Sequence, residues 1–385
     1  MPTVRSPTRP EPPHTPSAST SISSPLSRLH LGKDQECEVR RSGQMARTAA
    51  ETAPSDSLQP MTSNPSSHRM PLDALESLCA SAIRSAGGSP ETAAALASAT
   101  VAAERRGRRE VGAAHLLDYL DALRYGRLNG VARPRVASAR AAVVTVDADR
   151  GTAQLAFDHA LGALVERARS SGVAVLAVYN SFSAGELGHY TSCVAEKGLI
   201  ALACANSPAL MAVYGAREAV TGTNPLSFAL PHPSGPRMFD QATSATAWVT
   251  VRDAAMRGEA IPDNWALDAD GHPTTDARAA LSGALLPFGG VKGANIALMV
   301  EMLAAVAGGS FSQDAAPFDS GTRSPSLGLF VAAIDPTAFD TSYPQRAEDH
   351  LSRLASEHGA DFGRRKTPIT EVEISDAVYR ALMTA

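Results

Sequence analysis

Residues 151–205 read GTAQLAFDHALGALVERARSSGVAVLAVYNSFSAGELGHYTSCVAEKGLIALACA. Thr152 to Ser171 has the length and apolar spacing of a long helix, and Gly172 supplies the left-handed residue that closes one. Val173 to Tyr179 is a continuous apolar run of the kind that forms a buried strand. The pair then repeats, as a helix from about Ala184 to Lys197 closed by Gly198 and a strand from Leu199 to Ala205. With the apolar strand Ala141 to Val146 just upstream, the stretch has a β-α-β rhythm. That rhythm predicts an α/β architecture, a mixed sheet with helical flanks.

The pattern extends in both directions. Upstream, Leu72, Leu75, Leu78, Ala82 and Ile83 stand at helical spacing and end at Gly87-Gly88. Ser89-Pro90-Glu91 then gives an N-cap, a proline at the first helical position and an early acid, and a third helix runs from about Ala113 to Tyr125. Downstream, strands are expected at Leu226 to Leu230 and Arg237 to Asp240, followed by helices near Ala245 to Arg257 and Ala294 to Ala307. A last apolar strand, Leu327 to Ile334, precedes helices near Gln345 to Glu357 and Ile374 to Met383. No repeat of fixed period is visible, so residues 71–385 read as one domain.

Residues 1–70 cannot build a core. All 19 Phe, Trp and Tyr residues of the 385-residue chain lie after position 70, while 11 of its 26 prolines lie at or before Pro71. Apolar burial there is too small to offset an ordering entropy of about 1–2 kcal/mol per residue, so a disordered Ser/Thr/Pro-rich extension is expected. A translation start at Met45, Met61 or Met70 is the other open reading. Glu11, Asp34, Glu36 and Glu38 argue against a transit peptide, and no apolar stretch makes a secretory leader. The remaining residues hold 27 basic against 33 acidic side chains, which disfavours a nucleic-acid groove. Cys37, Cys79, Cys193 and Cys204 show no C-x-x-C spacing and read as thiols in a reducing compartment, no metal site is expected, and no run of about 20 apolar residues spans a bilayer. A cytoplasmic protein acting on small molecules follows, with neither nucleic acid nor membrane as partner.

No two glycines stand two apart, so the G-x-G-x-x-G dinucleotide fingerprint is absent, and so is the P-loop. Small and polar residues instead cluster in loops after apolar strands, where α/β proteins place ligand sites. They are Asn180 to Glu186, Asn206-Ser207-Pro208, Gly222-Thr223-Asn224-Pro225, Phe239 to Ser244 and Phe288-Gly289-Gly290-Val291-Lys292-Gly293. Each alone is equally a turn or a cap. The last has the most chemistry, because small residues and a lysine at a helix N-terminus make an anion site. Asp240, beside Thr243 and Ser244, suits a ribose hydroxyl or the orientation of a catalytic group, and equally a loop cap.

Taken in order, these clusters resemble the malate/L-lactate dehydrogenase family, which includes ureidoglycolate, sulfolactate and diketogulonate dehydrogenases and the piperideine-/pyrroline-carboxylate reductases. The resemblance runs from about Leu72 to Leu382. It rests on Tyr119-x-x-x-Leu123-x-x-Gly126-x-x-Asn129, Gly198-Leu199-Ile200, Asn206-Ser207, Gly222-Thr223-Asn224-Pro225, Asp240-x-Ala242-Thr243-Ser244, Gly271-x-Pro273-Thr274-Thr275-Asp276 and Lys292-Gly293. It implies a non-Rossmann fold and a homodimer that moves a hydride between NAD or NADP and a small 2-oxo, 2-hydroxy or cyclic imino acid. It further implies cofactor contacts at Met238, Phe239, Asp240, Gln241, Ala242, Thr243, Ser244, Lys292 and Gly293. An adenosine-phosphate contact falls at Gly363-Arg364, and substrate contacts at Asn206, Thr223 and Asn224.

One family motif is altered. The family's Ser-His-Gly-x-x-Arg is here Glu110-Val111-Gly112-Ala113-Ala114-His115, so valine replaces the acid/base histidine and His115 the arginine suited to a substrate carboxylate. In Asn180-Ser181-Phe182-Ser183-Ala184-Gly185, Ser183 stands where another histidine is common. A valine transfers no proton, and positioned acid–base catalysis contributes roughly 10²–10⁴-fold. Three readings follow. His115, four residues after Val111 on one helical face, or His189 paired with Glu186, supplies the proton; His115, Ser183 and Asp240 are then the catalytic candidates. Alternatively, an imine substrate arrives already protonated, or the chain is a catalytically silent nucleotide binder with an interaction or regulatory role. The run Glu104-Arg105-Arg106-Gly107-Arg108-Arg109-Glu110 reads as a solvated charged helix end.

Overall fold

The computed structural model describes residues 67–363 and 369–385. The chain separates into two units, Met1–Met61 and Thr62–Ala385, and every described residue belongs to the second. The expected disordered extension therefore lies outside the described residues up to position 66. Its last residues, from Ser67, instead open a strand.

That strand, β1 (Ser67–Pro71), leads into α1 (Leu72–Ser85), α2 (Pro90–Arg105) and α3 (Ala113–Arg124). A hairpin of β2 (Arg135–Arg140) and β3 (Val143–Asp147) is followed by α4 (Ala153–Ser171), β4 (Val173–Ser181), α5 (Leu187–Ala195) and β5 (Ile200–Ala205). Next come β6 (Leu226–Leu230), β7 (Arg237–Gln241), α6 (Trp248–Arg257), β8 (Ala266–Leu267), α7 (Ala277–Ala280) and β9 (Ala284–Leu285). The chain ends with α8 (Val291–Ala304), β10 (Leu327–Ile334), α9 (Tyr343–His358), β11 (Glu371–Ser375) and α10 (Asp376–Met383).

Capping chemistry sets several of these boundaries. Ser89 Oγ accepts the Thr92 N–H ahead of Pro90, and Thr152 Oγ1 accepts the Leu155 N–H. Gly172, at φ 77°, ends α4. The charged run after α2 is not simply a solvated end. Glu104 is 4% exposed, and its carboxylate accepts the Ala113 N–H at 2.8 Å, capping α3 from outside. A Cβ on Gly112 would lie 2.3 Å from that carboxylate, so a larger residue there would push the cap aside.

Seven strands form one mixed sheet in the order β2-β3-β4-β10-β5-β6-β7. Only β3 and β4 pair in parallel; every other neighbouring pair is antiparallel. Both β-α-β units expected from residues 141–205 are present, but the second is spread apart. β10 inserts between β4 and β5 and runs against both. Its unbroken apolar sequence, Leu-Gly-Leu-Phe-Val-Ala-Ala-Ile, is what a strand covered on both faces needs. β11 alternates buried and exposed residues, β1 half-buried and exposed ones, and the two pair with each other away from the main sheet. Ile374, expected to open the last helix, is instead the inward residue of β11.

Small residues let α4 and α5 approach the sheet. Ala156, Phe157, Ala160 and Leu164 of α4 meet Ala174, Leu176, Ala201, Ala203 and Ala333 of the strands in one apolar core. A second core joins α1, α2, α3 and α10, and a third lies under α6, α7 and α8. No helix among the described residues is long and apolar enough to cross a membrane.

Candidate active site

Side chains alternate along a strand, so Met238 and Asp240 of β7 face the same way, toward the start of α5. Asp240 Oδ2 accepts the Gly188 N–H at 2.8 Å, at the positive end of that helix. A Cβ on Gly188 would come within 2.1 Å of Met238 Cε, so a larger residue there would push the Met238 side chain aside. Phe239 turns to the other face and packs against Phe228 and Phe362 at ring separations of 6.0 and 6.2 Å.

Charges from the corner after α2 complete the junction. Arg106 grips Glu186 with a two-pronged fork, Nε to Oε1 at 2.8 Å and Nη2 to Oε2 at 2.5 Å. The Glu186 side chain is only 3% exposed. Arg108 Nη1 donates to the Asp240 carbonyl at 3.2 Å. Burial pushes the Asp240 carboxyl from 3.8 up to about 6. The Gly188 N–H pulls it back, the Glu186 charge raises it, and Arg108 and Arg106 lower it.

A narrow cleft opens beside this junction, lined by Val111, Gly112, His115, Tyr119, Gln154, Gly185 and Glu186. His115 Nδ1 pairs with Asp118 Oδ2 at 2.9 Å, and its ring stands edge-on to Tyr119 at 5.2 Å. The buried Tyr119 phenol meets Ser183 and Gln154; burial raises its pKa and those two bonds lower it. Two expectations change here. Val111 ends a short 3-10 turn and α3 begins only at Ala113, so Val111 and His115 share a cleft but not a helical face. His189 does not pair with Glu186, whose carboxylate belongs to Arg106. Its buried Nε2 has no partner, and burial, then Arg106, depress its pKa to about 4, so it carries no proton to donate at neutral pH.

On the other side of Asp240, Thr243 N and Oγ1 both donate to the Thr223 carbonyl at 2.8 Å, and the Phe288 N–H donates to the Thr243 carbonyl at 3.0 Å. Ser244 pairs with Pro287 in an isolated bridge and its hydroxyl donates to Thr246 O. Three of the predicted loops thus meet at the turn into α8. There Gly289 and Gly290 hold φ of 57° and 61°, and a Cβ on Gly293 would lie 2.1 Å from Phe288 O. The first-turn N–H groups of α8 have no acceptor within the helix, and Lys292 is exposed beside them. A cavity of about 620 Å³ adjoins this turn, lined by Gly289, Gly290, Val291, Ala245, Tyr214 and Arg217 among others. Free N–H groups, a lysine and open space above two glycines fit the phosphates of a dinucleotide.

Some predicted ligands are spent on the fold. Asn206 donates to Ser310 O at 2.7 Å and accepts the Gly328 N–H at 3.1 Å, so both amide ends tie backbone. Asn224 is fully buried behind Thr223. Gln241 is exposed at the strand end, and Ala242 joins it to Thr243. Arg364 lies outside the described residues. Next to it, Gly363 packs its Cα so close to Met238 that a Cβ would stand 2.5 Å from the Met238 nitrogen. Arg106 and Arg108 are the residues that sequence reasoning passed over, because their charged run looks like a helix end.

The fold is a mixed α/β sheet with no Rossmann phosphate loop, and its loops converge at one junction. The profile described as malate/L-lactate dehydrogenase matches residues 70–368, and the chain belongs to that family. It is 39% identical over 294 residues to a Delta(1)-pyrroline-2-carboxylate/Delta(1)-piperideine-2-carboxylate reductase of Pseudomonas putida, covering 74% of this chain and 85% of that one. It is 35% identical over 287 residues to a (2R)-3-sulfolactate dehydrogenase (NADP(+)) of Chromohalobacter salexigens, covering 74% and 86%. Among solved structures, the delta1-piperideine-2-carboxylate reductase of Pseudomonas syringae pvar. tomato superposes with a TM-score of 0.72 at 35% identity, over 82% of this chain and 94% of that one. The chain is thus an oxidoreductase of this family, with the family's nicotinamide cofactor.

Proposed function

We propose that the protein reduces a small cyclic 2-imino acid carboxylate with NADH or NADPH, and that Asp240 carries the proton. The observation behind this reading is the half-buried carboxyl of Asp240 at the start of α5, beside a cleft whose wall holds Val111 rather than histidine. The nicotinamide, when bound, supplies the hydride. The amides opening α8 and Lys292 would hold its phosphates, while Thr243 and Ser244 line the way to Asp240.

Reducing a C=N bond adds hydrogen to carbon, and the nitrogen needs one proton. An imine nitrogen is basic enough to take that proton before the carbon is reduced, whereas a ketone oxygen must be protonated as charge develops on it. Glu186 lines the cleft with its charge paired by Arg106, and Asp240 lies beside it at the start of α5. Once Asp240 has given up its proton, its carboxylate pairs with the iminium formed, an ion pair that a neutral ketone does not make. Asp240 hands the proton to nitrogen and, in the reverse direction, removes it. His115, a quarter exposed at the cleft mouth, is placed to meet the substrate carboxylate in place of the family arginine. The names of the two reductases among its relatives favour the same substrate class.

The working form is a cytoplasmic homodimer. Val291, Leu298, Met299, Met302 and Val306 present one exposed apolar stripe along α8 and just beyond it, which suits a second copy of the chain. Buried Cys79 and Cys204 remain free thiols, as a reducing compartment allows. The test is a titration of NADH and NADPH followed by turnover on Δ1-piperideine-2-carboxylate, Δ1-pyrroline-2-carboxylate and a panel of 2-oxo acids. Rapid imine reduction with negligible ketone reduction is expected; faster ketone than imine reduction refutes the reading. Met302→Glu should convert a dimer to a monomer in light scattering.

A further inference from the structure

Glu301 is a buried carboxylate, 4% exposed, that the chemistry above leaves unused. It lies in the last turn of α8, the helix whose first turn holds Lys292. Its Oε1 accepts the Ser312 N–H at 2.6 Å. Its Oε2 accepts from Ser312 Oγ at 2.7 Å and from Asn224 Nδ2 at 2.6 Å. Ser312 Oγ in turn accepts the Gly222 N–H at 2.9 Å. Both sides of the turn Gly222-Thr223-Asn224 are therefore hung on one carboxylate.

The turn needs such a clamp. Asn224 holds φ 35°, a left-handed conformation that costs a non-glycine residue energy and persists only where surroundings impose it. Its Oδ1 is buried without a partner. A Cβ on Gly222 would lie 2.3 Å from Ser207 Oγ and 2.7 Å from Asn224 Oδ1, so nothing larger fits inside the turn.

The contacts close a circuit. From the start of α8 it passes through Phe288 N–H to the Thr243 carbonyl, from Thr243 to the Thr223 carbonyl, and from Asn224 to Glu301 on the same helix. We propose that Glu301 is a positioning residue: it locks the Thr223–Asn224 turn to α8, and so fixes the segment leading from Asp240 relative to the helix that holds the phosphates. This rests on the reading that the Asp240–Ser244 segment carries the reacting end. Glu301 touches neither substrate nor cofactor, so its effect is on geometry. A misplacement of about 1 Å at a reacting centre costs on the order of 10²-fold in rate.

Glu301→Gln tests this in the full chain, because either orientation of the amide turns a donor on a donor. The expected result has two parts. Deuterium exchange in peptides holding Gly222 and Thr243 accelerates by about tenfold or more. At the same time kcat on Δ1-piperideine-2-carboxylate falls by at least about tenfold, with NADPH Kd and imine KM within about threefold of the starting protein. Ser312→Ala, which removes the Gly222 acceptor and leaves the Ser312 N–H and Asn224 bonds, moves both readouts the same way by less, and serves if Glu301→Gln fails to fold. Unchanged exchange in the variant that folds overturns the proposal. So does a lowered Tm with kcat kept within about twofold, the outcome of a merely structural contact. If the unaltered protein turns over neither imines nor 2-oxo acids, the functional reading fails, and exchange alone still decides whether Glu301 holds the turn.

Discussion

Replacing Asp240 with asparagine should make the protein more stable and nearly inactive. The native carboxyl titrates near 6 rather than 3.8, which corresponds to about 3 kcal/mol working against its ionised form at neutral pH. Asparagine removes that charge and keeps an oxygen to accept the Gly188 N–H, now 2.8 Å away. Its added N–H₂ needs a partner, and failing to find one costs about 1–3 kcal/mol, so the net gain is between roughly zero and 3 kcal/mol. In a unit of this size each kcal/mol moves Tm by about 2 °C.

The pH dependence makes the effect specific to this carboxyl. Between pH 3.8 and about 6 the native protein holds a proton on Asp240 that the unfolded chain has released. The starting protein therefore loses stability as pH rises through that window, whereas the variant does not. The stability gap should open from about pH 4 and level off by about pH 7, read by urea unfolding across that range. Imine reduction by the unaltered protein should decline above about pH 6 as the donor form disappears, and the variant should retain no more than about 1% of the turnover. A gap independent of pH, a variant less stable at pH 8, or more than about a tenth of the turnover retained would each refute the assignment of Asp240.

Three other outcomes follow. Val111→His combined with His115→Arg should raise kcat/KM for 2-oxo acids by at least about tenfold, measured by cofactor absorbance, since it returns a proton donor and a carboxylate fork to the cleft. Gly293→Ala should weaken NADPH binding by about tenfold or more in a fluorescence titration, because the new Cβ, 2.1 Å from Phe288 O, pushes the glycine turn away from the first amides of α8. His189→Phe should leave turnover unchanged and raise stability by roughly 1 kcal/mol, by removing a buried nitrogen that has no partner. Its advantage should widen as pH falls from 6.5 toward 4, where the unfolded chain takes up a proton that the native imidazole refuses.

Much of the fold was legible because period and punctuation agree locally. Ser89 and Thr152 cap the helices they precede, Gly172 ends α4, and strand bounds at Leu226–Leu230 and Leu327–Ile334 match the apolar runs. What could not be read was long-range pairing. Nothing near Leu327 announces that β10 divides β4 from β5, and the polar alternation of Glu371–Ser375 becomes a strand only because Ser67–Pro71 supplies a partner some 300 residues earlier. The site divides the same way. Thr243, Thr223 and Gly293 sit in motifs that sequence singled out, whereas the Arg106–Glu186 fork joins residues 80 apart, and only the packing of α2 on α5 brings them together.

The two halves of the proposed site also differ in what they are made of. The phosphate side is built from backbone: glycine turns, first-turn amides and carbonyls that hold Thr243, so its demands fall on a few small residues. The proton side is built from side chains, and there a single substitution removes the group that does the chemistry. Val111 offers no proton there, and burial raises the Asp240 carboxyl to about 6, the range the proposed donor needs. In the proposed reaction that carboxyl, after giving up its proton, faces a substrate bearing positive charge at the reacting atom. An iminium bears that charge and a ketone does not, which is why the proposed function places an imine rather than a 2-oxo acid at this site.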